Sequence, residues 1–101
     1  MWILRALGAD SSETLAFRLR PGYVRTAGRS PRADFVMDAP LVSRLHCRFE
    51  ADLDGSVVVQ DLESTNGTYV NGGQIQRVAL SEGDVVGVGR VNLRLERDSQ
   101  S

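Results

Sequence analysis

Alternation with a period of two constrains this chain more than any other feature. Across Thr14–Arg20, Leu15, Phe17 and Leu19 alternate with Ala16, Arg18 and Arg20. Across His46–Ala51, Cys47, Phe49 and Ala51 alternate with His46, Arg48 and Glu50. Across Val91–Glu96, Val91, Leu93 and Leu95 alternate with Asn92, Arg94 and Glu96. Each pattern predicts a strand with one buried and one wet face. Shorter β-prone runs occur at Trp2–Leu7, Tyr23–Thr26, Phe35–Met37, Val57–Gln60, Thr68–Val70 and Val85–Val88. Turn chemistry separates them: Arg20-Pro21-Gly22, Ser30-Pro31-Arg32, Asp52-Leu53-Asp54-Gly55, Asn71-Gly72-Gly73 and Ser81-Glu82-Gly83-Asp84. No segment carries a helical stripe. Short strands at such spacing predict an all-β antiparallel sandwich or barrel. The runs Trp2–Leu7 and Val91–Glu96 are expected to pair. The loops at the far end are then left to build a site.

A chain of 101 residues with 42% hydrophobic residues can bury the core of one domain. No apolar run is long enough to span a membrane, and the first residues do not read as a signal peptide. The single cysteine, Cys47, excludes an internal disulfide framework and fits a reducing compartment. Sharing a face with Phe49, it is expected in the core. The net charge of −1 argues against nonspecific binding to nucleic acid or membrane. All 12 cations are arginines. An arginine fork suits anion recognition, but composition alone does not separate that use from coding bias.

Three loops carry more chemistry than a turn needs. The first holds Gly28 and Arg29, the glycine permitting an unusual backbone angle or a close approach. The second holds Ser43, Arg44 and His46. The ring nitrogens of His46 are suited to tying neighbouring loop backbones together. The third is Ser64-Thr65-Asn66-Gly67, where Asn-Gly between β-prone runs is a hairpin signal and Ser64 is read as stabilising the loop. Arg29, Ser43, Arg44, Thr65 and Asn66 together offer two guanidinium forks, two hydroxyls and an amide. Such a set suits a dianionic phosphate and a peptide main chain. A hydrolase triad of Ser43, His46 and Asp61 would lack a Gly-x-Ser-x-Gly elbow. A metal site is not expected, because His46 and Cys47 are adjacent and point apart on a strand.

Gly28-Arg29, Ser43-x-x-His46 and Ser64-x-Asn66-Gly67, in this order, resemble the forkhead-associated (FHA) domain. Thr68-Tyr69-Val70-Asn71-Gly72 extends the likeness, and Leu80–Gly89 resembles that family's late hairpin. The resemblance covers residues 2–96 as one domain and leaves 97–101 as a short tail. It implies a β-sandwich of about eleven strands that binds phosphothreonine peptides through loops at one end. It implies that Arg29 and Ser43 contact the phosphate and that Thr65 adds a contact there or beside it. Asn66 would hold the peptide backbone, and Arg44, at a variable position, would also reach phosphate. Gly28 and His46 would support loop geometry, with Gly67 making the turn after Asn66.

The implied partner is a phosphothreonine-containing protein, a kinase or a kinase substrate, without cofactor, metal or catalysis. The expected setting is a monomer in the cytoplasm, or in the nucleus if the source has one. Thr14 lies at a strand start with little tether before it, so the ligand is expected on another protein. The alternative is a phosphate-independent scaffold or oligomerisation domain of the same fold.

Overall fold

A computed structural model describes residues 1–7 and 15–98. Thr14, Ser99, Gln100 and Ser101 lie outside the described residues. Eleven strands and no helix occur among the described residues: β1 Trp2–Leu7, β2 Ala16–Leu19, β3 Val24–Gly28, β4 Phe35–Val36, β5 Cys47–Ala51, β6 Val57–Asp61, β7 Thr68–Val70, β8 Gly73–Ile75, β9 Arg77–Leu80, β10 Val85–Val88 and β11 Val91–Arg97. They form two sheets, ordered β2-β1-β11-β10-β7-β8 and β4-β3-β5-β6-β9. Every pair is antiparallel except β3 with β4, which is parallel. The sandwich read from the alternation is therefore present, with one parallel pair at an edge.

The inward faces make the core. Leu4, Leu19, Phe49, Val59, Val86, Val88, Leu93 and Leu95 are wholly buried. Fully burying one such side chain stabilises the fold by about 1.5–3 kcal/mol. At one margin Phe17 of β2 stacks on Phe35 of β4, with ring centroids 4.7 Å apart, closing the gap between the sheets. The terminal strands pair as expected, from Trp2↔Arg97 to Leu7↔Asn92.

Five local readings change. Leu15 precedes β2 and is exposed, so the inward set of that strand is Phe17 and Leu19. His46 precedes β5 and is wholly buried, not on a wet face; its polar ring is satisfied by loop backbone. β6 and β7 belong to different sheets, so Asn66-Gly67 ends a crossing between layers and closes no hairpin. The Asn-Gly hairpin of this fold is Asn71-Gly72 between β7 and β8, with φ of 51° and 88°, the mirror-image turn that matches strand twist. Likewise Leu80–Gly89 crosses from β9 to β10, and the late hairpin turns at Gly89-Arg90 between Val88 and Val91. β11 runs through Arg97, whose guanidinium lies 4.5 Å from the Trp2 ring centroid, so the chain is ordered past the expected start of the tail.

Candidate functional site

Three connections meet at one end of the sandwich: 29–34 after β3, 37–46 after β4, and 62–67 after β6. Backbone bonds fasten the first to the second. Arg29 N donates to Ser43 O at 2.9 Å, Ser30 N to Arg44 O at 3.1 Å, and Met37 N to Gly28 O at 2.7 Å. The approach is close enough that a Cβ on Gly28 would sit 2.0 Å from Arg44 O. Gly28 is thus needed for space, and the positive φ of 87° at Gly67 is the conformational need there.

His46 joins the second connection to the third. Ser43 N donates to Nδ1 at 3.0 Å, so Nδ1 is bare, and Nε2–H donates to Gly67 O at 2.8 Å. Leu62 N also donates to His46 O, at 2.9 Å. The ring ties two loop backbones, the role read for it from the sequence. With both nitrogens engaged in this way, it has no lone pair left for the Ser43 hydroxyl.

Asp61, at the end of β6, organises the third connection from below. It accepts from the Ser64 hydroxyl at 2.5 Å, the Thr68 hydroxyl at 2.7 Å and Ser64 N at 3.2 Å. Ser64 Oγ in turn accepts from Gly67 N at 2.9 Å. Burial pushes the Asp61 carboxyl up, but the Ser64 and Thr68 hydroxyls and the Ser64 amide hold it below its ordinary value. Ser64 therefore serves the loop. Asp61 carries most of this architecture, and its signal was a carboxylate three residues before Ser64 and seven before Thr68. Burial above all, then the Asp61 charge, pushes the neighbouring Cys47 thiol up to about 12, against a smaller opposing effect of the Thr68 hydroxyl. That thiol stays protonated and belongs to the core, as expected.

On this frame four of the five candidate ligand residues share one cleft. Arg29, Ser43, Thr65 and Asn66 line a cavity of about 460 Å³ together with Asp38, Ala39, Pro40, Leu41 and Val42. Arg29 is exposed, and Nε donates to Val42 O at 3.1 Å. That bond fixes the stem and leaves the terminal N–H groups of the fork uncommitted. Ser43 Oγ accepts from Thr65 N at 3.0 Å, which leaves its own hydrogen to donate. Asn66 Nδ2 donates to Leu41 O at 3.1 Å. That bond helps hold Leu41 at a φ of 71°, a backbone region bulky side chains seldom adopt. Arg44 stands apart from this cleft. It lines a second cavity, of about 330 Å³, with Arg29, Ser30 and Pro31. Asp38, in the main cleft, belongs to no motif that sequence reasoning could use.

Known proteins share this fold. The sequence matches the FHA domain family over residues 25–89. It is 46% identical over 68 residues to the oxoglutarate dehydrogenase inhibitor of Corynebacterium diphtheriae, covering 67% of this chain and 47% of that protein. The chain spans less than half the length of the curated relatives it matches most clearly. The fold superposes on the FHA domain of the CT664 protein from Chlamydia trachomatis with a TM-score of 0.90 and 30% identity, covering 97% of this chain and 98% of that one. It also superposes on a structure from a study of phosphothreonine-dependent FHA domain interactions, with a TM-score of 0.81 and 31% identity over 96% of each chain. On the sequence match and the shared fold, this chain belongs to the FHA domain family.

Proposed function

We propose that this domain is a phosphothreonine-dependent recognition module that docks on phosphorylated segments of a partner protein and catalyses nothing. One observation carries the reading: the Arg29 fork is anchored by Nε to Val42 O, its terminal N–H groups are uncommitted, and Ser43, Thr65 and Asn66 line the same cleft. A phosphothreonine brings about −1.5 to −2 charges and three acceptor oxygens. Arg29 takes the phosphate bidentately, the Ser43 hydroxyl donates to it, and Thr65 adds a contact beside it. Asn66 holds the peptide backbone through its amide. Gly28, His46 and Gly67 keep these groups in place.

Each charge-assisted hydrogen bond contributes about 1.5–3 kcal/mol. Three or four of them, less the cost of ordering an extended peptide, correspond to about −8 kcal/mol, a micromolar Kd. The partner is a kinase or kinase substrate, met by a monomeric domain in the cytoplasm. Absence of catalysis is supported by the His46 ring, whose nitrogens serve backbone groups and not the Ser43 hydroxyl.

The test is binding to a peptide library centred on phosphothreonine, beside the same library with threonine and with phosphoserine. The expected result is micromolar binding that needs the phosphate. Arg29→Ala is expected to weaken it at least about 100-fold, the loss of two charged bonds, while leaving the thermal midpoint within about 2 °C. Because the second phosphate pKa is about 6, affinity is expected to fall as pH drops below that value. Binding that survives phosphatase treatment and Arg29→Ala would replace this reading with the phosphate-independent scaffold.

A further inference from the structure

Two cavities meet at Arg29, and the one further charge that lines each is opposite in sign, Asp38 in one and Arg44 in the other. The larger contains Asp38, the one carboxylate among its lining residues. The smaller is lined by Arg29, Ser30, Pro31 and Arg44 and contains no carboxylate. Asp38 and Arg44 are both exposed, and neither side chain has a hydrogen-bond or ion-pair partner among the described residues. Arg32, next to Pro31, is likewise exposed and unpaired. Elsewhere the chain does pair such charges, as in Arg5–Glu96 and Arg48–Glu50–Arg77.

An unpaired carboxylate in a cleft read as a phosphate site is a cost to that site. It repels the dianion it stands near, unless a cation on the ligand meets it. An unpaired arginine beyond Arg29 has the converse preference. Exposed charges of this kind add little affinity but set which ligand is accepted and in which orientation. Two cavities that border one arginine suit a peptide. An extended chain advances about 3.3–3.6 Å per residue, so residues two or three positions from the phosphothreonine lie about 7–11 Å away. Cavities of about 460 and 330 Å³ have room for the side chains of such residues.

Resting on the phosphothreonine reading above, we infer that the domain selects a charge-polarised segment: a basic residue on the flank that passes Asp38 and an anionic residue on the flank that passes Arg44. Asp38 and Arg44 are then specificity determinants flanking the phosphate site, and Arg44 acts on a neighbouring group of the ligand, not on the phosphothreonine itself. The direction in which the peptide runs need not be assumed, because one order of charges fits and the other opposes at both flanks.

The experiment uses three phosphothreonine peptides of the same length. One has neutral flanks, one has acidic residues before and basic residues after the phosphothreonine, and one has the reverse order. Each is titrated into the wild-type domain and into the Asp38→Arg, Arg44→Asp double variant, with folding checked by the thermal midpoint. An exposed ion pair changes affinity by about two- to fivefold. The two charged peptides are therefore expected to differ by about tenfold on the wild type, with the neutral peptide between them. The double variant is expected to reverse their ranking. The readout is the ratio between the two charged orders, which a general loss of affinity does not move. Phosphate-dependent binding with equal Kd for both orders, or a ranking the double variant leaves unchanged, overturns this inference alone. Absence of phosphate-dependent binding to all three by the folded wild type overturns the recognition reading and this inference with it.

Discussion

The two ends of this sandwich are built on opposite rules. At the end holding the termini, side chains are spent on the protein itself. Trp2 Nε1 donates to Gly55 O at 2.9 Å, Arg18 meets Asp98 at 3.3 Å, and Asn71 bonds Asp84 at 3.1 Å. Asp98 N donates to Met1 O at 3.0 Å, so the outer ends of β1 and β11 are joined as well. At the loop end the backbone is fastened as firmly, by Arg29–Ser43, Ser30–Arg44, His46 and Asp61. Yet the tips of Arg29 and Arg44 and the carboxylate of Asp38 are left uncommitted. A fixed backbone beneath unspent side chains is what preorganised recognition requires, because little entropy remains to be lost on binding.

The sharpest way to break the contrast is to part the fastened backbones. Gly28→Ala places a Cβ 2.0 Å from the Arg44 carbonyl oxygen, and backbone on both sides has no rotamer to give. Connections 29–34 and 37–46 must separate, with loss of the bonds that Arg29 N and Ser30 N make. We expect a loss of about 4 kcal/mol or more, among the largest single-site effects. Urea denaturation followed by fluorescence of the single tryptophan, Trp2, would measure it. A variant as stable as the wild type would show that the loops tolerate separation and that their rigidity is not the basis of the site.

His46→Ala tests the second tie, with a somewhat smaller effect. The variant leaves a cavity in a wholly buried position and strands Ser43 N and Gly67 O. Lost packing and two unsatisfied backbone groups together cost about 2–4 kcal/mol. Affinity for a phosphothreonine peptide is expected to fall about tenfold even where the domain stays folded, since Ser43 and the 62–67 segment are no longer held in register. Unchanged affinity in the folded fraction would confine His46 to a purely structural part.

What could be read in advance follows from how local each signal is. Alternation reports its own strand, so the inward faces of β5 and β11 are legible, and the β-prone runs give β1 and β10 with the bounds they have in the structure. β8 and β9 are not legible in this way. Gly73-Gln74-Ile75 is an edge strand without an alternating face, and Arg77–Leu80 follows it after one residue, with no turn signal to divide them. The crossing at 62–67 looked like a hairpin because Asn-Gly states a backbone angle and not which sheet comes next. Arg29, Ser43, Thr65 and Asn66 could be read together because each occupies a spaced motif, and the structure does place them on one cleft. Arg44 joins that group by its guanidinium fork and by the family resemblance, but successive residues point different ways and it lines the other cavity. Asp38 had no motif at all, since its significance comes from what does not pair with it.

The mildest test compares one arginine from a sheet face with the arginine of the cleft. Arg77, on β9, bonds Glu50 at 2.8 Å and Gln60 at 3.0 Å, and Arg48 approaches the same Glu50 at 3.2 Å. The hydrogen bond from Arg77, opposed by desolvation and supported by the charges of Arg77 and Arg48, lowers the Glu50 carboxyl below its ordinary value. A depressed carboxylate pKa stabilises the folded state above the unfolded value, near 4.3, and that contribution is lost as pH falls through the folded one. Surface pairs of this kind are weak and screened by salt. Arg77→Ala is therefore expected to lower the thermal midpoint by no more than about 3 °C at pH 7, with the difference closing as the solution is acidified below about pH 4. The Kd for a phosphothreonine peptide is expected to stay within about twofold. Arg29→Ala should show the reverse pattern, a large loss of binding at constant stability. If Arg77→Ala weakened the peptide as Arg29→Ala does, affinity would be coming from the summed charge of the arginines, and the division between the self-satisfied faces and the uncommitted cleft would not hold.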